Sequence, residues 1–460
     1  MKTLMFSIVA AFASVGAFAD ATIDRVLVRQ QWPWDEKVAI DFVLTNVTSA
    51  TEIDCAVYRG ATPVSVSYGA FTGDLCELTE DGTYRIMFDP SHLPDRPSKG
   101  ETLRFVLTPS AMTDESSYRE VLYKIIDLES PYSITDVTRG NILSGAYGSF
   151  ETDYGKIGEG YNTSLSDVLI WTGVTNYPGA KTSKLVMRKI PAGSFTYPRR
   201  MVWGDTTQTC EVTNDFYIGV FELTQGQFDK IQNIGSSEYG NRSAYYDPLF
   251  AGAELPVNRC SNYSLLDGNV RSAKQSTGTI GNLNAAIGNG HYVTLPSKGQ
   301  WLYAMKAGTS TYYYDGLAGG APENAAKDSR FDVLGRYAGN GGMVDNGDGT
   351  ITTNGVVAVG SYRPNAYGLY DMLGNVIEAV FENPTTLDTL EAQTGTIATS
   401  VTGNSHTARG SGWSSDAAAW PFAVTSYKLY GSLSANAQND GGCGYRLALW
   451  VDPGYSGTEE

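Results

Sequence analysis

Short runs of alternating apolar and polar residues fill the chain from Ala21 to about Leu128, and they restrict this part to one kind of fold. Alternation with a period of two places the apolar side chains of a strand on one face. Gly, Pro and Asp clusters separate the runs, as the turns of an antiparallel sandwich require. Residues 20–128 are therefore predicted to form an antiparallel β-sandwich domain. Typical runs are KVAIDFVLTNV, TYRIMFDP and TLRFVLTP.

The first residues carry a different pattern. Lys2 precedes an apolar run from Leu4 to Val15, and the tripeptide Ala-Phe-Ala follows at 17–19. This order is typical of a secretory signal peptide that is cleaved after its last small residue. No later run reaches the roughly 20 apolar residues that a membrane-spanning helix needs. We expect a signal peptide at 1–19 and a secreted, periplasmic or extracellular protein without a membrane span.

Charge argues against one class of partner. The chain has 460 residues, and its 49 acidic and 33 basic side chains give a net charge of −16. Such a surface repels phosphate backbones unless it carries a local basic patch. We predict no nucleic-acid partner.

Five cysteines would lie in a compartment that permits disulfides. Cys55 and Cys76 are close in the sequence, and we expect them to bridge neighbouring strands. At most one further bridge can form among the other three, and the sequence does not choose the pair. These three are Cys210, Cys260 and Cys443.

The composition changes after the expected sandwich. Residues 129–183 are rich in Gly, Ser, Asp and Tyr and are predicted to be a linker. From 184 to 450, short strand patterns alternate with long irregular stretches, which indicates an α+β domain shaped by loop packing. Residues 451–460 would be a tail.

Two helices are predicted in this second domain. Thr224 and Gln227 have the spacing of a capping box, and Ser297 and Gln300 have it again. Apolar residues follow both pairs at helical spacing, and Trp301 is expected to face inward.

Several segments of the second domain, in order, resemble the formylglycine-generating enzyme or sulfatase-modifying-factor family. The resemblance implies a variant of the C-type lectin fold over 184–450, so that the whole chain is α+β with an antiparallel β-sandwich before the family-like domain. The N-terminal sandwich lies outside the resemblance. The matching segments are IPAGSF (190–195), FYIGVFELTQGQF (216–228), LPV (255–257), LPSKGQWLYAMKAG (295–308), PNAYGLYDMLGNVIE (364–378), ARGSGW (408–413) and GYRLA (444–448).

The resemblance also implies where copper would bind in a catalytic member. A cysteine pair there follows an Arg-Gly-Gly-Ser-aromatic motif and holds Cu(I). The matching aromatic is Trp413, and the two cysteine positions fall on Ser415 and Trp420. Cu(I) prefers thiolates, so neither side chain suits it. We predict no copper and no formylglycine formation.

Calcium is the cofactor that the resemblance leaves in place. Calcium takes oxygen ligands, and Asp371 and Glu378 would supply carboxylates while Gly374 and Val376 would supply backbone carbonyls. A hydrogen-bonded turn without metal is the alternative. Aliphatic residues flank Glu378 where the family has tryptophans, so the implied ion would stabilise the fold and take no part in catalysis.

A second implied calcium site joins two segments. Asn340 and Gly341 belong to the first, and Asp348 and Thr350 belong to the second. The spacing of acidic residues suits a calcium turn, yet the run lacks the distal Glu of an EF-hand. A hairpin turn without metal stays open as the alternative.

These observations favour a secreted, non-catalytic recognition protein that binds a protein, peptide or glycan. Its surface would lie where the catalytic cysteines would have been, because Tyr, Trp, Ser and Asn make good contacts at low entropic cost. The alternatives are a formylglycine-generating-type oxidoreductase that uses another metal or thiol, and an envelope structural protein. The expected binding residues are Trp413, Ser415, Asp416, Trp420, Tyr427, Tyr430 and Asn439.

Overall fold

The chain divides into two compact units in a computed structural model. One unit comprises 1–122, 137–153 and 169–173, and the other comprises 123–136, 154–168 and 174–460. The structure describes residues 7–12, 21–30, 35–95, 97, 101–158, 160–166, 168–198, 207–234, 250–258, 276, 278–318, 327–341, 343–345, 348, 350–353, 355–380, 407–412 and 442–452.

Two four-stranded sheets build the first unit, as the alternating sequence predicts. In the order of hydrogen-bonded neighbours, the first sheet contains β1 (Ser7–Phe12), β8 (Thr102–Ala111), β4 (Thr51–Arg59) and β5 (Thr62–Val64). The second sheet contains β2 (Thr22–Gln30), β3 (Val38–Thr45), β7 (Gly82–Phe88) and β6 (Phe71–Gly73).

Aromatic rings from both sheets meet in the core of this unit. Phe88 of β7 and Phe105 of β8 have ring centroids 5.0 Å apart, and Phe71 of β6 lies 5.1 Å from Phe88. All three side chains are buried. The pairs are antiparallel except that β1, which lies inside the expected signal peptide, pairs in parallel with β8. The predicted β-sandwich fold is confirmed, whereas residues 123–128 of the predicted domain belong to the second unit.

The second unit is built on a six-stranded sheet. Its neighbours are, in order, β10 (Ser133–Thr138), β9 (Val121–Asp127), β11 (Lys184–Ile190), β14 (Phe216–Gly219), β21 (Ala448–Val451) and β15 (His291–Thr294). The smaller sheets are a hairpin of β12 (Gly193–Pro198) and β13 (Thr207–Val212), a hairpin of β16 (Met343–Asp345) and β17 (Ile351–Thr353), and a three-stranded sheet of β19 (Thr407–Arg409), β18 (Ile377–Val380) and β20 (Cys443–Tyr445).

Five α-helices lie in the described part of the chain. They are α1 (Arg139–Leu143), α2 (Tyr154–Ile157), α3 (Gln225–Asn233), α4 (Gly278–Ile287) and α5 (Lys298–Lys306). Short 3-10 helices span Tyr68–Ala70, Pro90–His92, Ser117–Arg119, Thr172–Asn176, Phe331–Val333 and Ala338–Asn340.

Helices α3 and α5 begin where the capping boxes predict. The Thr224 side chain accepts from the Gln227 backbone N–H, and the Gln227 side chain accepts in return from the Thr224 N–H. Ser297 and Gln300 repeat this pair of bonds. Apolar side chains of α3 and α4 join those of the six-stranded sheet in one core, which contains Phe228, Ile231, Ile280, Leu283, Val293 and Leu447.

The segment 129–183, expected to be a linker, contributes to both units. Its described residues include β10, α1 and α2, and Trp171 is buried with its indole N–H donating to the Tyr147 carbonyl. Tyr154 is also buried, and its hydroxyl donates to the Tyr314 carbonyl. These residues therefore pack within the units.

No helix in the described ranges is long and apolar enough to cross a membrane.

Candidate functional site

The segment 364–378 lies at the centre of the site, and one buried amide fixes its entry. Asn365 is fully buried, and its Nδ2 donates to the carbonyls of Ala304 and Met305 at the end of α5. Its Oδ1 accepts from the backbone N–H groups of Tyr367 and Leu369. This single side chain therefore ties the segment to a helix and also shapes its first turn.

The next residues form a tight curl. Asp371, Gly374 and Asn375 all have positive φ, at 56°, 85° and 59°. A Cβ at Gly374 would stand only 2.4 Å from the Arg336 carbonyl oxygen, so no side chain fits there. Asn375 adds a hydrogen bond from its N–H to that same carbonyl at 2.8 Å.

Glu222 holds this curl from a distant part of the chain. Its Oε1 accepts from the Val376 N–H at 3.0 Å, and its Oε2 accepts from Asn375 Nδ2 at 2.6 Å. The side chain is fully buried. Burial raises the pKa of Glu222 well above its usual value, and the charges of Asp371 and Glu378 raise it further.

Glu378 forms a buried ion pair with Arg446. Arg446 Nη2 lies 2.7 Å from Glu378 Oε1, and its Nε lies 3.0 Å from Oε2. The indole N–H of Trp301 also donates to Oε2. The two charged side chains are 1% and 0% exposed. Both carboxylate oxygens therefore have donors from within the chain.

Asp371 has a less complete environment. Its Oδ2 accepts from the Gly360 N–H at 2.6 Å, whereas its buried Oδ1 accepts no hydrogen bond from the described residues. Burial raises the pKa of Asp371 to about 6, and the neighbouring Glu378 charge adds to the shift. Three buried carboxyl groups thus lie near one guanidinium, which favours protonation of part of this cluster at neutral pH.

Arg336 holds the segment of the second implied calcium site. Its Nη1 donates to the Asn340 carbonyl at 2.7 Å, and its Nη2 donates to the Gly341 carbonyl at 2.6 Å. Its Nε donates to the Gly355 carbonyl at 3.2 Å. Two carbonyls of the segment to which the resemblance assigns a second calcium therefore already accept from a cation.

Asp348 and Thr350 lie in a hairpin turn between β16 and β17. Asp348 Oδ1 accepts from both the N–H and the hydroxyl of Thr350. These bonds lower the pKa of Asp348. A carboxylate that accepts from the residue two positions later is the usual bond of an Asx turn.

These contacts do not fit calcium at either segment as it stands. In the described ranges, no group of three or more His, Cys, Asp or Glu side chains is placed to hold a metal ion. Glu378 would have to leave Arg446 before it could bind calcium, and the carbonyls of Asn340 and Gly341 face a guanidinium. Calcium remains a prediction from the resemblance.

The expected binding residues lie between two described strands. Trp413, Ser415, Asp416, Trp420, Tyr427, Tyr430 and Asn439 fall outside the described residues. The described chain ends at Gly412, just after β19, and resumes at Gly442, just before β20. Both strands pair with β18, where Glu378 is level with Arg409 on one side and with Gly444 on the other.

The thiols correct one prediction. Cys55, Cys76 and Cys210 are free, so the expected bridge between Cys55 and Cys76 is wrong. Cys55 lies opposite Leu107 of β8, and Cys76 belongs to no strand, so the two are not cross-strand neighbours. Burial raises the pKa of Cys210 to about 11 and keeps that thiol protonated at neutral pH.

Sequence reasoning missed Glu222, Arg336 and Arg446. Two of them carried a signal, because Glu222 interrupts the apolar run VFEL and Arg446 interrupts GYRLALW. A single charge inside an apolar run indicates a buried side chain with hydrogen-bond or ion-pair partners. Arg336 lies in the mixed stretch VLGRYAGN, where glycines break any apolar run, and gave no such signal.

The fold and site define an α+β protein whose loops are fixed by buried hydrogen bonds and ion pairs around one curled segment. Residues 176–448, more than half of the chain, match the model of the sulfatase-modifying factor enzyme 1-like domain. The chain belongs to this family, as the sequence motifs predicted.

Solved structures with similarity to this chain have low identity. The structure of PvdO from Pseudomonas aeruginosa is 17% identical, with 58% of this chain and 95% of that chain covered and a TM-score of 0.38. Treponema denticola variable protein 1 is also 17% identical, with the same coverage and a TM-score of 0.37. The crystal structure of CarF is 16% identical and covers 58% of this chain and 99% of that chain, with a TM-score of 0.35. A comparison with curated proteins found no match.

Proposed function

We propose that this chain is a secreted, non-catalytic recognition protein that binds a protein, peptide or glycan through the segment from Trp413 to Asn439. The observation that carries the proposal is the placement of the described strands that precede and follow this segment in the sequence. Strands β19 and β20 both pair with β18, where Glu378 is level with Arg409 of β19 and with Gly444 of β20. Binding residues are often carried on the chain between packed elements of a rigid scaffold.

The use of the reactive groups supports a binding role over a catalytic one. Glu378 is committed to Arg446, and Glu222 accepts from Asn375 and Val376. Cys210 is buried with a raised pKa, so it is a poor nucleophile and a poor metal ligand at neutral pH. These side chains stabilise the scaffold and offer no reagent for oxidation.

The residues at the cysteine positions of catalytic members add a chemical argument. Ser415 and Trp420 stand where the resemblance places the thiolates that hold Cu(I). Soft sulfur ligands are what Cu(I) requires, and neither a hydroxyl nor an indole replaces them.

The proposal includes one disulfide, between Cys260 and Cys443. Cys443 begins β20 and is not one of the free thiols, whereas Cys210 is free. Cys260 is then the partner that the chain offers for Cys443, and a bridge there suits an oxidising compartment. Peptide mapping without reductant should recover a linked Cys260–Cys443 peptide and three titratable thiols after denaturation. Five titratable thiols in the exported protein would contradict this pairing.

Secretion has its own test. Expression of the full chain in a secreting host, followed by N-terminal sequencing, should give a mature protein that begins at Asp20. An exported protein that still begins at Met1 would contradict cleavage after Ala19.

Recognition is tested by screening the exported chain on glycan and peptide arrays. We expect binding to one ligand class, with loss of at least tenfold in affinity in a Trp413→Ala and Tyr427→Ala double variant, because aromatic residues supply much of such binding energy. Thr108→Ala, on the exposed face of β8, is the matched control and should bind as the parent does. Equal binding by the double variant, or no binding to any probe, contradicts the proposal.

A parallel assay separates the oxidoreductase alternative. The exported chain is titrated with Cu(I) and is then incubated with a cysteine-containing sulfatase peptide. Stoichiometric copper binding together with an aldehyde on the peptide would replace the recognition proposal with the enzymatic one.

A further inference from the structure

Each of the two segments that the resemblance assigns to calcium contacts an arginine of this chain. Arg446 contacts Glu378 in the first segment, and Arg336 contacts Asn340 and Gly341 in the second. The two arginines come from different parts of the sequence and bind different kinds of oxygen. Their common feature is a positive charge bonded to oxygens of a segment to which calcium is assigned.

Arg336 binds its segment through neutral oxygens alone. All three nitrogens of its guanidinium donate to backbone carbonyls, at 2.7 Å to Asn340, 2.6 Å to Gly341 and 3.2 Å to Gly355. Asn340 shapes the receiving loop, because its Nδ2 donates to the Gly335 carbonyl and its Oδ1 accepts from the Tyr337 N–H. The carbonyls therefore converge on one side chain.

The backbone of Arg336 extends this contact to the other segment. Its carbonyl accepts from the Asn375 N–H at 2.8 Å, and the absence of a side chain at Gly374 lets the two backbones approach. One residue thus holds the 340–341 loop with its side chain and the 371–378 curl with its backbone.

The guanidinium of Arg446 is surrounded by oxygen atoms. Besides its two-pronged pair with Glu378, its Nη1 donates to the carbonyls of Gly219 and Val220 and its Nη2 donates to that of Tyr370. The residue is fully buried. The planar guanidinium therefore makes hydrogen bonds to five oxygens at once.

A calcium ion and these guanidinium groups compete for the same oxygens. Calcium requires about 6–8 oxygens at short range, and capture of Glu378 would leave Arg446 buried without its bonded carboxylate. A buried charge that loses its partner is strongly destabilising. At the second segment a divalent ion would have to displace a guanidinium that already satisfies the carbonyls.

We propose that Arg336 and Arg446 stand in for calcium in this chain, each holding with its guanidinium the segment to which the family resemblance assigns an ion. The scaffold is then independent of calcium. This inference does not depend on whether the chain is a recognition protein or an enzyme.

Thermal unfolding of the full chain tests the proposal. Melting curves are recorded after dialysis against EDTA and again with millimolar CaCl₂, at one ionic strength. The two melting temperatures should agree, because no ion is needed at either segment. The Arg336→Met variant should melt about 3–8 °C below the parent in both buffers, since three carbonyls lose their donor.

Arg104→Met is the matched control for loss of one arginine. Its guanidinium lies over the Tyr58 ring in the first unit and touches neither segment. It should melt closer to the parent than Arg336→Met does. An Arg336→Met variant that melts with the parent overturns the role of Arg336.

The variants Glu378→Gln and Asp348→Asn show whether a calcium-induced change in the melting temperature arises at either segment. A calcium-induced rise in the melting temperature of the parent that Glu378→Gln or Asp348→Asn abolishes overturns the proposal. A rise that both variants retain comes from another part of the chain and overturns the claim that the scaffold is independent of calcium. The parent measurement stands even if a variant does not fold.

Discussion

Arg446 and Arg336 hold their segments under opposite conditions. Arg446 is fully buried and lies among three carboxyl groups, one of which it pairs directly. Arg336 is only half-buried, and its side chain binds neutral carbonyl oxygens. The comparison shows that a buried guanidinium is accompanied by a counter-charge, whereas one near the surface holds a loop through carbonyl dipoles alone.

Around Arg446 there are more carboxyl groups than arginines to pair with them. Glu378 has the guanidinium, while Asp371 and Glu222 share the same buried environment without an arginine bonded to them. Burial raises the pKa values of both acids, the charge of Glu378 raises both further, and the charge of Asp371 adds to the shift of Glu222. The region around Arg336 has no such surplus among its direct partners.

The largest effect should come from removal of Arg446. Arg446→Met leaves Glu378 buried with the Trp301 indole as its remaining side-chain donor, and we expect the free energy of unfolding to fall by about 3–5 kcal/mol. Urea unfolding of the full chain measures it. Adding Glu378→Gln to Arg446→Met should recover part of the loss, because the uncompensated charge is then gone. A loss no larger than that of Arg104→Met would contradict the buried ion pair.

A smaller effect depends on pH and concerns Asp371. Burial raises its folded-state pKa from 3.8 to about 6, so its contribution to stability is fully present below about pH 4 and is lost as pH rises through about 6. Asp371→Asn keeps an acceptor for the Gly360 N–H and removes the ionisation. The free energy of unfolding of the variant relative to the parent should therefore rise by about 3 kcal/mol between about pH 4 and pH 7.5.

Unfolding at several pH values measures this difference. Asp24→Asn, on the exposed face of β2, is the matched control and should follow the parent. If the free energies of unfolding of Asp371→Asn and the parent differ by the same amount at every pH, the pKa of Asp371 is not raised by folding.

A substitution at Trp301 tests one further hydrogen bond of the Arg446 region. Trp301→Phe keeps a buried ring and removes the N–H that donates to Glu378. We expect a loss of about 1–2 kcal/mol in the free energy of unfolding, since a charge-assisted hydrogen bond is lost while Arg446 remains. The same substitution in a Glu378→Gln background should cost less. Equal costs in the two backgrounds would mean that only ring packing matters.

The smallest effect should come from the loop at Arg336. Asn340→Ala removes the bonds to Gly335 and from Tyr337 that shape the loop and a longer bond to the Tyr362 hydroxyl, and water can replace them because the residue is half-buried. A loss of about 1 kcal/mol is expected. Denaturant unfolding measures it, and a loss as large as that of Arg446→Met would remove the difference between the two regions.

Local signals in the sequence predicted the sandwich, the family-like domain and the starts of α3 and α5. Period-two alternation and capping boxes act over a few residues, so they can be recognised without knowing what the chain packs against. Helix α4 was missed because Gly278, Gly281, Asn282 and Asn284 interrupt a weak apolar pattern. Tertiary packing of Ile280 and Leu283 stabilises that helix.

The site depended on contacts that local patterns do not encode. The motif at 364–378 contains Asp371 and Glu378. Their surroundings are set by Glu222 and Arg446, which come from remote parts of the sequence. The expected linker was misread for a similar reason, because its Trp171 and Tyr154 are buried by parts of the chain distant in sequence. Composition alone does not show which aromatic residues of a glycine-rich segment are packed.

A crystal structure of the full chain grown with excess calcium would show whether arginine or calcium occupies the two segments. We expect guanidinium nitrogens of Arg336 within hydrogen-bonding distance of the Asn340, Gly341 and Gly355 carbonyls, and the Arg446 guanidinium paired with both oxygens of Glu378. A spherical density peak with oxygen ligands at about 2.3–2.6 Å in place of either guanidinium would contradict it.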